Sequence, residues 1–347
     1  MQDIHTPLSK GFFFPAEWEQ HESTWLTYPA PNESWPDNFI EVCREYNNFV
    51  ALISQGEKVN IVTQNTSHSK ELADILDAHG ATMENIFFYE FTSDDCWCRD
   101  HGPAFLINKN SPERAIVKWQ FNAWGEKYPS EKDNAIGDKI AALYPFKTYR
   151  PPIVMEGGSI EVNGKGTLLT TKACLLNKNR NLALSAPEIE WYLRENYGAT
   201  NIVWLGNGVE GDDTDGHIDD MVRFVNEHTI IAAVEDIKGD TNYQPLKENF
   251  ELLKTIKLEN GKTPNIVELP MPSPVTNGKE RLPASYANFY ICNSGVIVPV
   301  FGCKNDDKAL QVIQSCFPHR NVHALPARNV IYGLGSWHCL SQQEVCR

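Results

Sequence analysis

The chain has 347 residues, 41% of them hydrophobic, with 31 basic against 45 acidic side chains and a formal charge of −14. That composition supports a folded core and excludes a disordered chain. The acidic balance, with no basic stripe to offset it, excludes nucleic acid and acidic membrane faces as partners and favours a cationic small molecule.

No stretch approaches the ~18 consecutive apolar residues of a membrane span. The opening MQDIHTPLSKGFFFPAEWEQ lacks the basic start and apolar run of a secretory leader, and neither end carries a lipidation motif. The expectation is a cytoplasmic protein. Nine cysteines, an odd number with no CxxC, are expected to be reduced, most of them small buried hydrophobes.

In chain order the pattern predicts a strand at 24–28, helix 37–54, strand 59–63, helix 69–79, and strands at 86–91 and 115–121. Helices at 131–143 and 187–197, a strand at 201–205, helix 246–256, strand 266–269 and helix 308–316 follow. Several helices begin after Pro, Ser or Asp and close on Gly. This alternation indicates an α/β protein.

Beneath the alternation lies a repeat. AFLIN108KNSPERAIVKW, SIEVN163GKGTLLTT, VRFVN226EHTIIAA and FYICN293SGVIVPV each read as two short strands around an asparagine turn, and the turns lie 55, 63 and 67 residues apart. Asparagine suits such a turn because it tolerates positive φ. Four hairpins at near-constant spacing, each tied to a helix, predict equivalent modules around an axis within a single domain, 1–347.

Asp100, Glu156 and Asp219 stand eight, seven and seven residues before their turn asparagines, His217 is two before Asp219, and Ser285 and Tyr286 hold the corresponding places before Asn293. Equivalent positions in a pseudo-symmetric ring converge on its axis. Cys339, in GLGSWHCLSQQ, falls in the last module after a glycine-rich turn and is the candidate nucleophile. Cys346 shows the plain alternative of a terminal thiol without a role.

His217 lies in DDTDGHIDD; were it to begin a strand, the period of two would turn His217 and Asp219 to one side. A calcium loop fails, since Gly211 and Val222 stand where acidic ligands belong. The cysteines do not pair with histidine at zinc spacing. No metal and no cofactor is expected. In WCRDHGP, Arg99 is expected to pair with a carboxylate rather than touch a ligand.

This set suits hydrolysis of a guanidinium. Its forked donors match carboxylates bidentately, so Asp100 and Asp219 would clamp it. Cys339 would attack the central carbon, His217 would pass protons, and Glu156 would orient His217 and keep its pKa high enough for it to be protonated when needed.

WCRDHGP, FNAWGEKY, EGGSIEVNGKGTLLTTKACLLNKNRN, DTDGHIDD and GSWHCLSQQ, with GFFFPAEWEQHESTWLTYP at the start, resemble the agmatine deiminase and bacterial peptidylarginine deiminase-like family across nearly the whole chain. The resemblance implies the pentein fold, a five-bladed α/β propeller of pseudo-symmetric modules. It implies catalysis by Cys339, His217, Glu156, Asp100 and Asp219, with Trp97 lining the site and Asp213 as a second contact for a cationic substrate. It also implies agmatine as that substrate, handled through a covalent amidino-cysteine.

The sequence departs from the pattern in places: agmatine-specific members more often carry a small hydroxyl residue at His101 and glycine at Glu126, and the glycine-rich run before the nucleophile is interrupted by Leu334, Ser336 and Trp337. Peptidyl-arginine or another guanidino compound is the alternative substrate. Free arginine would need a cation for its carboxylate, for which Arg180 is the nearby candidate. A cysteine amidase would want oxyanion donors, and a non-catalytic binding propeller would have no reason to keep all five polar groups. A homo-oligomer is compatible with this reading.

Overall fold

The computed structural model describes residues 5–30 and 34–346. Each of the four asparagine-turn segments forms an antiparallel hairpin, and its second strand runs parallel to a third strand reached across a helix. Ala104–Asn108 and Arg114–Val117 are followed by helix Glu131–Ala141 and strand Lys147–Tyr149. Ile160–Val162 and Thr167–Thr171 lead through Ala186–Tyr197 to Asn201–Leu205. Val222–Asn226 and Thr229–Val234 lead through Tyr243–Leu253 to Asn265–Pro270. Tyr290–Cys292 and Gly295–Val300 lead through Asp306–Cys316 to Val322–Pro326.

The fifth module is assembled from both ends of the chain. Strand Ser341–Val345 pairs antiparallel with His21–Thr27, which continues through helix Phe39–Ser54 to the parallel strand Lys58–Thr63. Helix Thr66–Ala78 then adds Ile86–Glu90 at the edge. These are the five αβ modules of a pentein fold. No helix among the described residues is long and apolar enough to cross a membrane.

The turn asparagines work differently from the expectation. None of them adopts positive φ. Instead the Oδ1 atoms of Asn108, Asn163 and Asn226 accept from the N–H two residues on, at 2.8, 3.0 and 3.0 Å, so the side chain closes the turn. Asn293 reaches across to the fifth module, accepting from the N–H of His21 at 2.9 Å.

A short turn precedes the first strand of every module: Cys98–His101, Gly157–Ser159, Ile218–Asp220, residues 286–287 and residues 337–340. Asp100, Asp219 and Cys339 lie on these turns, and Glu156 and His217 cap two of them. His217 therefore caps such a turn rather than opening a strand, and Cys339 lies just before Ser341–Val345 rather than in it. The helices pack outside, their apolar faces against the sheets: Phe39–Ser54 buries Val42, Tyr46, Phe49, Val50 and Ile53.

One backbone segment is strained. Ala123, Trp124, Gly125 and Glu126 all have positive φ, at 48°, 54°, 99° and 63°. For residues with a Cβ this conformation costs about 1–2 kcal/mol each. The Asn122 side chain steadies the run by accepting from the N–H of Gly125 at 3.0 Å. Glycine is at home where Glu126 stands, so Glu126→Gly is expected to stabilise the protein by about 0.5–1 kcal/mol in urea unfolding.

Candidate active site

Asp100, Glu156, His217, Asp219 and Cys339 meet at the centre, each at most 5% exposed. Asp100 is fixed through both oxygens: Oδ2 accepts from Trp124 Nε1 at 2.9 Å, and Oδ1 accepts from the N–H of Gly158 at 2.9 Å. The strained segment thus serves to deliver the Trp124 indole. Asp100 Oδ1 also faces His217 Nδ1 at 3.8 Å.

Asp219 Oδ2 accepts from His338 Nδ1 at 2.6 Å and lies 3.7 Å from Cys339 Sγ, while its Oδ1 has no hydrogen-bond partner among the described residues. Both ring nitrogens of the fully buried His217 likewise have none. Buried polar atoms left this way are rare in proteins and mark where a ligand's donors and acceptors belong.

Burial alone would keep the His217 ring neutral, but the carboxylates of Asp100, Asp219, Glu156 and Asp212 outweigh it and raise its pKa. Asp219 is held below the usual carboxylate range: burial opposes ionisation, and the His338 hydrogen bond and charge overcome it. Asp100 is raised, first by burial and further by Asp219 and Glu156, with His217 pulling the other way. Burial and then Asp219, Asp220 and Asp100 push the Cys339 thiol well above its ordinary value. A cation bound among these carboxylates would lower it again.

Gly158 is what allows the groups to crowd together. A Cβ there would lie 2.6 Å from His217 Nδ1, 3.0 Å from Asp100 Oδ1 and 3.1 Å from Asp219 Oδ2. Gly333 and Gly335 do the same for the wall, since a Cβ at either would meet the Trp97 ring at 2.9 and 2.5 Å.

Glu156 helps to raise the His217 pKa, as expected, but does not hold the ring by a hydrogen bond. Its Oε1 accepts from Arg180 Nε at 2.6 Å, and no hydrogen bond joins it to His217 among the described residues. It approaches the ring beside Cys174, the three ligand-type atoms lying within 4.8 Å of one another, and acts on it through charge. Arg180 in turn is engaged within the protein: three further donors go to Asp215 at 2.7 Å, the Asn179 side chain at 2.7 Å and the Thr214 carbonyl at 2.9 Å. It is not free for a substrate carboxylate. Arg99 pairs with Glu17 at 3.3 Å, as expected of a structural arginine.

From this centre a cavity of about 970 Å³ opens outward. Trp97 forms part of its wall, and Asp213 stands in the outer part, accepting from Tyr128 at 2.7 Å. Asp37, Asp94, Asp95, Asp133 and Glu280 join Asp213 there, with Arg328 as the one cation among the lining residues described.

Sequence reasoning missed His338, which bridges Asp219 and Glu17 (Nε2 to Oε2, 2.8 Å). It also missed Trp124 and Asn288. Position next to Cys339 was a usable signal for His338. Glu17, 321 residues away, offered none.

A family profile for the Porphyromonas-type peptidyl-arginine deiminases matches residues 13–344. The agmatine deiminase of Ectopseudomonas mendocina (strain ymp) is 34% identical, the match covering 98% of this chain and 97% of that protein. Among solved structures, the agmatine deiminase of Enterococcus faecalis superposes with a TM-score of 0.91 at 30% identity, over 99% of this chain and 98% of that one. A cysteine-to-serine variant of the C. jejuni agmatine deiminase with substrate bound gives 0.85 at 32% identity, over 97% of each chain.

Proposed function

The chain belongs to the Porphyromonas-type peptidyl-arginine deiminase family, and on that premise we propose that it hydrolyses agmatine to N-carbamoylputrescine and ammonia. It is a hydrolase of C–N bonds in linear amidines. The observation that carries the substrate reading is the set of unpaired buried atoms, Asp219 Oδ1 and both His217 nitrogens, around Cys339 at the foot of an acidic cavity.

Asp100 and Asp219 receive the guanidinium and keep its carbon electrophilic. Cys339 Sγ bonds to that carbon as the thiolate. A C–N bond breaks, and ammonia leaves with a proton from His217. The resulting alkylamidino-cysteine is attacked by water, which gives a proton to His217. The C–S bond then breaks as the remaining hydroxyl proton passes to solvent, where ammonia takes it up, returning the thiolate and releasing the carbamoyl product.

The far end of the substrate decides between agmatine and arginine. An ammonium suits the outer carboxylates, including Asp213, which it would share with Lys127 at 3.3 Å. A carboxylate would face repulsion there, because Arg180 is engaged by Glu156 and Asp215 and Arg328 is a single cation among several acidic side chains. Ammonia release should therefore be faster from agmatine than from free arginine or a blocked arginyl peptide, by about 100-fold in kcat/KM. Comparable rates on the peptide would overturn the agmatine reading and leave deimination standing. By the same logic Asp213→Asn should raise KM for agmatine several-fold, about 1 kcal/mol of binding, with little change in kcat.

A further inference from the structure

We propose that Asn288 is a positioning residue for the nucleophile: its amide donates to the Cys339 sulfur and anchors the backbone that carries it. The inference rests on Cys339 being the nucleophile. Asn288 is 1% exposed and lies in the segment just before strand Tyr290–Cys292. It follows the turn at residues 286–287 and stands five residues before Asn293, nearer the hairpin than the place that Asp100, Glu156 and Asp219 hold in the first three modules.

The amide's orientation is set by its surroundings. Oδ1 accepts from the backbone N–H groups of His338 at 3.2 Å and Cys339 at 3.3 Å. Turned over, the NH₂ would confront two donors. Nδ2 is thereby aimed at two acceptors, Asp220 Oδ1 at 3.0 Å and Cys339 Sγ at 3.0 Å.

Burial and the carboxyls around the sulfur disfavour its ionisation, and the backbone at Ser336 is the other group that favours it. Asp219 stands 3.7 Å away, with the Asp220 and Asp100 carboxyls beyond, while His217 is turned towards Asp100. A neutral thiol accepts hydrogen bonds weakly and a thiolate strongly, so the Asn288 bond strengthens as the nucleophile ionises. The Asp220 carboxyl, buried beside Asp219, is pushed well above the usual range. It accepts one amide hydrogen at 3.0 Å, and this fixes the other hydrogen on the sulfur.

Asn288→Asp separates the two parts of the role, because aspartate keeps the acceptor for the 338–339 backbone and loses the donor. Asn288→Ala loses both. Two readouts apply: steady-state ammonia release from agmatine, and alkylation of Cys339 by iodoacetamide between about pH 6 and about pH 10.

Both variants are expected to lose roughly 30-fold or more in kcat with KM within about threefold, and their alkylation curves should move up by about one pH unit. Wild-type kcat and an unmoved alkylation curve in Asn288→Asp would overturn the proposal, leaving Asn288 a backbone anchor. Should Asn288→Ala fail to fold, Asn288→Asp alone decides. An active Cys339→Ser enzyme would remove the nucleophile reading and this inference with it. An inactive Cys339→Ser enzyme beside an unchanged Asn288→Asp refutes only the inference.

Discussion

Serine in place of Cys339 is expected to lower turnover by roughly 10⁴-fold or more while leaving agmatine bound with near-normal affinity. The two halves of this result have separate causes. Binding rests on Asp100 and Asp219, which the substitution does not touch. Chemistry rests on a thiolate, and a hydroxyl at neutral pH is a far weaker nucleophile. In the empty site the Cys339 thiol is pushed up by burial and by Asp219, Asp220 and Asp100. The bound cation offsets those charges, so ionisation is coupled to substrate arrival. Calorimetric titration of the serine variant with agmatine, beside an ammonia assay, measures both halves.

The second large effect is expected from a single methyl group. Gly158→Ala places a Cβ among His217, Asp100 and Asp219, 2.6 Å from the imidazole Nδ1. These neighbours are not the free ends of flexible side chains. Asp100 is held by Trp124 and by the Gly158 N–H itself, Asp219 by His338, and His217 is enclosed. The catalytic groups must therefore move apart, and displacements near 1 Å cost on the order of 10²-fold in rate. A fall of roughly 10²–10³-fold in kcat/KM is expected, with a loss of about 1–3 kcal/mol in stability from overpacking. Gly239→Ala is the control, since a Cβ there meets nothing within 4 Å. It should leave both quantities unchanged.

The modules were legible in the sequence because each hairpin is local: two short apolar strands flank a polar turn, and the catalytic groups recur at one offset from that turn. The fifth module was not, since its antiparallel pair joins Ser341–Val345 to His21–Thr27 across almost the whole chain. Strands Lys147–Tyr149 and Val322–Pro326 were also missed. They are short, and their packing is set by the parallel neighbours Arg114–Val117 and Gly295–Val300, not by a periodic pattern of their own.

The centre followed the same rule. Asp100, Glu156, His217, Asp219 and Cys339 could be grouped by position, but their partners come through space. Glu156 was matched with His217 on chemical grounds, whereas its hydrogen bond goes to Arg180. The Asp219–His338–Glu17 chain of hydrogen bonds joins residues with no spacing relation at all. Period-two reasoning put His217 and Asp219 on one strand. A capped turn, Ile218–Asp220, brings them to the centre instead.

The covalent intermediate is the central claim, and mass spectrometry of enzyme quenched in acid during turnover of agmatine tests it most directly. The account predicts a mass increase equal to one agmatine-derived amidino group, formed with loss of ammonia and confined to the Cys339 peptide. It should be strongest in a variant slowed in the water-dependent second step. Continued ammonia release with the Cys339 peptide unmodified at every quench time, in a variant whose second step is limiting, would contradict it.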